Sequence, residues 1–292
     1  MLLLDVLPAE AVGSAEAIQA TLRRVDPGTP VLAVTELAAS RGDGVFETLG
    51  VVGGHPQAVA AHLDRLERSA LMLDLPIPHR GQWQAAIEEA ARLLSESPEA
   101  KVKLVLSRGI EGTGRPTAWL IAEPVTGVMR ERTDGIRVVL LDRGLRSDVA
   151  ATSPWLLAGA KTLSYASNMA ALREAGRRGA DDVIYTSTDG FALEGPTSSI
   201  VLRRGAEFIT PRTDSGVLAG TTQLSLFAFL GSLGHRTREA MVTVDELFAA
   251  DGIWLLSSSR LAAGVTMLDG RDIPFDPSLT ALMNTALLAR ED

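Results

Sequence analysis

Runs of strand-forming residues alternate with stretches of helical spacing along the whole chain. Gly44-Val-Phe-Glu-Thr-Leu-Gly-Val-Val52 reads as a strand, and Gly53-Gly54 turns it into a second short strand, as a two-residue hairpin loop does. Val59, Leu63, Leu66, Ala70 and Leu73 then recur at helical spacing, and Pro76 and Pro78 close that helix. A second helix carries Trp83, Ile87, Ala91 and Leu94. Two strand-like runs follow, Lys101 to Ser107 and Thr117 to Ala122. In the first, Lys101 and Lys103 alternate with Val102 and Leu104, as on the wet face of a strand. The glycines of Arg108-Gly-Ile-Glu-Gly-Thr-Gly-Arg115 make the stretch between the runs a loop.

Pro124 to Asp134 reads as a connection, and the pattern then resumes. Ile136 to Leu141 is a buried strand run, and Tyr165 to Arg177 has helical character. Val183–Thr186 and Phe191–Glu194 flank Thr188-Asp-Gly190, while Ser199–Arg203 and Glu207–Thr210 flank Arg204-Gly-Ala206; both are hairpin signals. Helices are predicted from Thr222 to Leu233, from Val244 to Ala250 and from Ser278 onward, with a strand from Ile253 to Ser257. Thr243-Val-Asp-Glu246 is a capping box. The pattern predicts an α/β (α+β) chain of two domains, residues 1–125 and 135–292, joined by a solvated linker at 126–134.

Composition narrows the chemistry. A net charge of −8 gives no basic footprint for nucleic acid or an anionic membrane. There is no cysteine, which excludes disulfides and thiolate metal sites, and the histidines at 55, 62, 79 and 235 show no metal-ligand spacing. No stretch approaches the length of a membrane span, and Met1–Leu4 is too short for a signal peptide. The expectation is a cytoplasmic protein acting on a small molecule.

Lysine is scarce here, three residues against twenty-five arginines. Lys161 stands alone in Trp155-Leu-Leu-Ala-Gly-Ala-Lys161-Thr-Leu-Ser-Tyr-Ala-Ser-Asn168, among small and apolar neighbours. Burial there would disfavour the charged form, and a lysine that gives up its proton suits Schiff-base chemistry, which arginine cannot perform. A lone lysine snorkelling from a loop to water is the ordinary alternative.

Three other features accompany Lys161 in order. His62-Leu-Asp-Arg65-Leu-Glu-Arg-Ser69 lies on the first helix, Leu193-Glu194-Gly-Pro-Thr-Ser-Ser-Ile200 follows a hairpin, and Gly216-Val-Leu-Ala-Gly220-Thr221-Thr222 leads into a helix. Singly, these read as a surface ion pair, a strand end and an ordinary N-cap. In this order and spacing, from about Arg41 to Gly270, the chain resembles the fold-type IV pyridoxal-phosphate enzymes: branched-chain and D-amino-acid aminotransferases and 4-amino-4-deoxychorismate lyases.

That resemblance implies two α/β domains with pyridoxal 5'-phosphate in the cleft between them, and a homodimer whose neighbouring loops close each pocket. Lys161 would hold the cofactor covalently and act as acid and base. Arg65 would bind its phosphate through a planar guanidinium. Gly220, Thr221 and Thr222 would form a phosphate cup at a helix start, with Ser258 and Ser259 on a second phosphate-side loop. Glu194 would keep the pyridine nitrogen protonated. Ser199 replaces an asparagine common in the family, and Tyr165 lies one residue nearer the lysine than in the branched-chain enzymes, so cofactor contact and plain packing are equal readings for Tyr165.

Within the family, Ser107-Arg-Gly…Gly-Arg115 is similar to a loop of the aminodeoxychorismate lyases, where the second arginine meets a substrate carboxylate. Arg115 and Phe46 are the expected substrate contacts, and Arg260 is a looser candidate. The expected reaction is the lyase one, giving 4-aminobenzoate and pyruvate. An aminotransferase of the same fold, acting on a D- or branched-chain amino acid, is the alternative, and a cofactor-binding protein without catalysis is a third reading, which Lys161 and Glu194 together oppose.

Overall fold

A computed structural model describes residues 1–290. The chain forms two compact units. One comprises Met1–Val125 together with Ala160–Tyr165, the other Thr126–Gly159 and Ala166–Arg290.

The first unit is built on a six-stranded sheet. Its longest pairing joins Gly44–Val52 to Glu99–Ser107, in antiparallel register with Phe46 opposite Val105 and Thr48 opposite Lys103. Thr117–Pro124 pairs on the far side of Glu99–Ser107. Leu2–Leu4, which has no period to read, pairs with Thr117–Pro124 and Leu22–Arg24. Helices Val59–Met72 and Arg80–Arg92 pack against the sheet. Leu63, Leu66, Ala70, Trp83 and Ile87, predicted as their apolar stripes, are all buried. Side chains alternate across a strand, so Glu47 shares the helix-covered face with Val45 and Leu49. Phe46 points to the opposite face, where it packs with Val105, Trp119, Leu163 and Tyr165.

The second unit carries a ten-stranded mixed sheet. Three central strands, Gly252–Ser257, Leu261–Leu268 and Ile136–Asp142, hold much of its core. Leu261–Leu268 escapes the sequence reading because it is apolar on both faces and has no alternation to detect. Helices Thr221–Ser232 and Pro277–Leu288 supply Leu226, Leu230, Met283 and Leu287 to one cluster, with Trp254 and Phe208. Helix Ala166–Arg177 packs through Ala171 and Ala175 on another, with Val183 and Tyr185. The predicted capping box is present, with both reciprocal bonds between Thr243 and Glu246.

Two expectations need correction. Residues 126–134 are not solvated throughout: Thr126, Gly127, Met129, Arg130, Thr133 and Asp134 are exposed, but the segment contains helix Met129–Thr133, whose Arg132 is buried and donates to the carbonyls of Ser259 and Arg260. The mixed charge there is divided between the buried Arg132 and an exposed Arg130–Asp134 pair. Lys103 is not on a wet face. Its Nζ lies 4.8 Å from the Phe46 ring centroid, and burial pushes its pKa down, with Lys101 adding to that and Glu123 opposing it. Lys101, by contrast, pairs with Glu123 at 2.9 Å.

Candidate active site

In the first unit, the Lys161 segment lies along the start of strand Gly44–Val52. Val45 and Thr162 form an antiparallel bridge, and the Leu163 N–H donates to the Gly44 carbonyl at 2.8 Å. The Lys161 carbonyl accepts the Phe46 N–H at 3.0 Å, and the Lys161 N–H donates to Ser69 Oγ at 3.1 Å. Both backbone groups of this loop lysine are therefore fixed, one by a strand and one by a buried helix residue. Its Nζ lies 4.6 Å from the Phe46 ring centroid and 6.0 Å from that of Tyr165. The two rings meet edge to face at 5.2 Å and 80°. Such a wall favours a cation over its faces while limiting water.

Arg65 is buried on helix Val59–Met72 and is held by Glu47. Its Nε donates to one carboxylate oxygen at 2.6 Å and its Nη2 to the other at 2.7 Å, while His62 Nδ1 lies 2.8 Å from the second oxygen. Burial opposes the charge on Glu47, but the Arg65 and His62 contacts outweigh it and hold the carboxyl far below its ordinary range. Because Glu47 engages Nε and one edge of the fork, any contact from Arg65 to an external anion would use the remaining protons of the terminal nitrogens.

The loop bearing Arg115 is tied at both ends to one acid. Glu36 is buried and accepts from Ser107 Oγ at 2.5 Å and from Thr117 Oγ1 at 3.0 Å, residues that face each other where the two strands open into the loop. Arg115 itself is exposed, and its N–H donates to Thr113 Oγ1. Gly109, at φ +96°, lets the Arg115 carbonyl approach so closely that a Cβ would overlap it. Arg108 pairs with Asp43 at 2.7 Å and donates to the Leu73 and Asp74 carbonyls, which pins the other flank.

In the second unit, Glu194 is clamped from two sides. Arg143 Nη1 donates to one oxygen at 3.2 Å and the Leu218 N–H to the other at 3.0 Å. Arg143 also lies over the Tyr185 ring at 5.6 Å and donates to the Gly216 carbonyl. Tyr185 Oη donates to Asn168, which in turn donates to the Pro196 carbonyl. The carboxylate is thus oriented by a chain of contacts reaching the 195–198 turn.

Helix Thr221–Ser232 begins at Gly220 with no side-chain cap. Thr221 and Thr222 are buried, and Thr222 Oγ1 lies 3.3 Å from Ser258 Oγ. A Cβ on Gly220 would collide with Ser199 Oγ and crowd Gln223, so this position admits only glycine without movement. A helix start with its dipole, small residues and clustered hydroxyls is suited to an anion. Ser259 contributes its carbonyl to Arg132. Arg260, a looser substrate candidate, is instead engaged by Asp182 at 2.7 Å and Glu131 at 3.3 Å.

Comparison with known proteins places these groups in a family. Residues 44–268 match the family described as amino-transferase class IV. The bifunctional aminodeoxychorismate lyase / D-amino acid transaminase of Mycobacterium tuberculosis is 45% identical over 87% of this chain and 91% of its own. A fold IV-transaminase from Curtobacterium pusillum, CpuTA1, superposes with a TM-score of 0.94 at 48% identity, covering 99% of this chain and 97% of that one. A hypothetical aminotransferase from M. tuberculosis, solved with α-ketoglutarate and PMP bound, gives a TM-score of 0.87 at 45% identity over 91% of this chain and 96% of that one.

The chain belongs to the amino-transferase class IV family. It is an enzyme with the fold-type IV architecture of that family.

Within this class IV chain, Lys161, Phe46 and Tyr165 are neighbours, as are Gly220, Thr221, Thr222 and Ser258. Arg143, Glu36 and the clamp of Glu47 on Arg65 are not among the residues expected from the sequence. Arg143 and Glu36 sit far along the chain from the groups they hold. Glu47 did carry a signal, a lone acid in an apolar strand facing a helix with His62 and Arg65 one turn apart. Among the described residues, no group of three or more His, Cys, Asp or Glu could hold a metal ion, and no helix is long and apolar enough to cross a membrane.

Proposed function

We propose that this enzyme converts 4-amino-4-deoxychorismate to 4-aminobenzoate and pyruvate. More broadly, it is a fold-type IV pyridoxal-phosphate enzyme acting on amino-acid-like substrates. The residues fit the cofactor by the chemistry of their donors: a positioned primary amine at Lys161, a clamped carboxylate at Glu194, and a helix start with a glycine and buried hydroxyls at 220–222. Each set is complete within its own unit, and family membership is what joins them to one cofactor.

When bound, pyridoxal phosphate supplies an aldehyde that captures amines and a ring that accepts electrons. Lys161 would hold it, then, once displaced by the substrate amine, take the proton from the amine-bearing carbon. Glu194 would keep a proton on the ring nitrogen, with Arg143 and the Leu218 N–H fixing its orientation. Thr221, Thr222 and Ser258 would donate to the phosphate, with Arg65 adding charge. Arg115 would hold a substrate carboxylate. In the lyase, Lys161 would return its proton to the departing enol of pyruvate, and aromatisation of the substrate ring drives release.

The observation that carries the lyase reading is the Ser107-Arg-Gly…Gly-Arg115 loop, tied by Glu36 at the mouth of its two strands. Transamination of D-amino acids is the second reading, favoured by the M. tuberculosis relative whose name carries both activities. There the proton would return to the cofactor carbon, and a 2-oxo acid would complete the cycle. Exposed Trp155 and Leu156 beside the lysine segment support a homodimer as part of the proposal, which light scattering would test by a mass twice that of the 30.9 kDa chain.

The deciding experiment supplies aminodeoxychorismate to the cofactor-loaded enzyme without any oxo acid. Sustained formation of 4-aminobenzoate and pyruvate is expected. A second reaction with D-alanine and 2-oxoglutarate reads the transaminase activity. Turnover in the second alone would replace the lyase assignment.

A further inference from the structure

Two of the three lysines in the chain converge on one phenylalanine. Lys161 Nζ lies 4.6 Å from the Phe46 ring centroid and Lys103 Nζ lies 4.8 Å from the same point. Their separation therefore cannot exceed the sum of those two distances. Both are within the first unit. The register explains the meeting: Phe46 stands opposite Val105, and Lys103, two residues before Val105, projects from the same face of the sheet. Lys103 is not held by a carboxylate at ion-pair distance, whereas its neighbour Lys101 pairs with Glu123 at 2.9 Å, and Glu123 acts on Lys103 only from farther away. Its charge is thus only partly compensated on the side where Lys161 stands.

The other charged and titratable groups of this unit are arranged differently. Glu47, Arg65 and His62 are bonded to one another on the opposite, helix-covered face. Helix Val59–Met72 meets the lysine segment through the neutral Ser69 hydroxyl. Asp43 at the start of the strand is paired with Arg108. Tyr165 shares the Phe46 wall. Among these groups of the first unit, Lys103 is the cation on the Lys161 side of the sheet whose charge no bonded carboxylate cancels.

We propose that Lys103 is a positioning residue that sets the protonation of Lys161: the neighbouring cation, against the same aromatic ring, lowers the proton affinity of the catalytic amine and keeps it ready as a nucleophile and base. A nearby like charge disfavours the charged form of a lysine, and lysine nucleophiles are activated in this way. The apolar cluster of Phe46, Val105, Trp119, Leu163 and Tyr165 that both lysines border limits the water that would screen the repulsion. Burial of Lys103, which already pushes its own pKa down, is consistent with a poorly screened setting. This inference rests on the proposed role of Lys161 but not on the choice between lyase and transaminase.

The test is a pH titration of the visible absorbance of the cofactor-loaded enzyme, with Lys103→Met and Lys103→Arg beside the parent chain. Lys103→Met is expected to move the midpoint upward by about half a pH unit or more, and Lys103→Arg, which keeps the charge, to leave it near the parent value. The pH profile of kcat/KM should move in the same direction. Lys103→Gln repeats the measurement if the methionine variant does not fold. An unchanged midpoint in the neutral variants overturns the proposal. So does an unchanged midpoint with a raised KM, which would make Lys103 a substrate contact instead. If borohydride reduction leaves no pyridoxyl group on Lys161 of the parent enzyme, it is the assignment of Lys161 that fails, a result distinct from a flat titration.

Discussion

Lys161 has its N–H tied to Ser69 and its carbonyl to Phe46, so replacing the side chain leaves the loop's anchoring intact. Lys161→Ala should therefore keep the parent circular dichroism while losing about a thousandfold or more in turnover, within the range for removing a proton-transfer group. Arg65 stands differently, because it is both a proposed phosphate contact and the partner of a buried acid. Arg65→Met leaves the Glu47 carboxylate buried with only His62 beside it. Breaking one side of a buried pair costs about 3–5 kcal/mol, which urea denaturation of the apo-protein would read. Arg65→Met combined with Glu47→Gln should recover part of that loss without recovering cofactor affinity. Equal stability of the single and double variants would mean that Glu47 is satisfied by other contacts.

Among the elements, the start of helix Thr221–Ser232 and the start of helix Val244–Phe248 make a useful contrast. Val244–Phe248 is capped by its own sequence, and Thr243→Ala should cost about 1 kcal/mol by denaturation with no change in cofactor binding. Thr221–Ser232 begins without a side-chain cap at a glycine pressed against Ser199. Gly220→Ala would push Ser199 and the first helical turn apart, and should weaken pyridoxal-phosphate binding by about tenfold, or about 1.4 kcal/mol. Absorbance titration of the apo-protein measures it. An uncapped helix start crowded by a glycine against a serine, with buried hydroxyls beside it, is suited to completion by an external anion.

For the molecule as a whole, acid stability follows from the depressed carboxyls. Glu47 in the first unit is held far below its ordinary 4.5. In the second unit, the Ser147 hydroxyl and N–H bring Asp189 from 3.8 to about 2. Folded values below the unfolded ones mean that the unfolded chain binds more protons in acid, so stability rises with pH there. Both contributions are complete above the unfolded values and are lost as pH falls through them toward the folded ones. The urea midpoint should be nearly level from pH 7 to about 5.5 and should fall steadily below about 4.5. A midpoint still level at pH 3 would contradict the Glu47 and Asp189 assignments.

The sequence by itself determined the elements whose periodicity is strong: the Gly44–Val52 strand, the two helices after it, the 199–211 hairpin and the capped helix at Val244. It also pointed to the family, because Arg65, Lys161, Glu194 and the Gly220-Thr-Thr222 run stand in an order and spacing that resemble that family's motifs. Tertiary structure alone decided the partners. Glu47 on Arg65, Arg143 on Glu194, Glu36 across Ser107 and Thr117, and Lys103 beside Lys161 each join residues many positions apart. The return of residues 160–165 to the first unit is of the same kind, since nothing local to that segment says which strand it will border. Periodicity reports which face of an element is apolar. It carries no information on which distant side chain meets that face, and there the charges of this enzyme are balanced or left unbalanced.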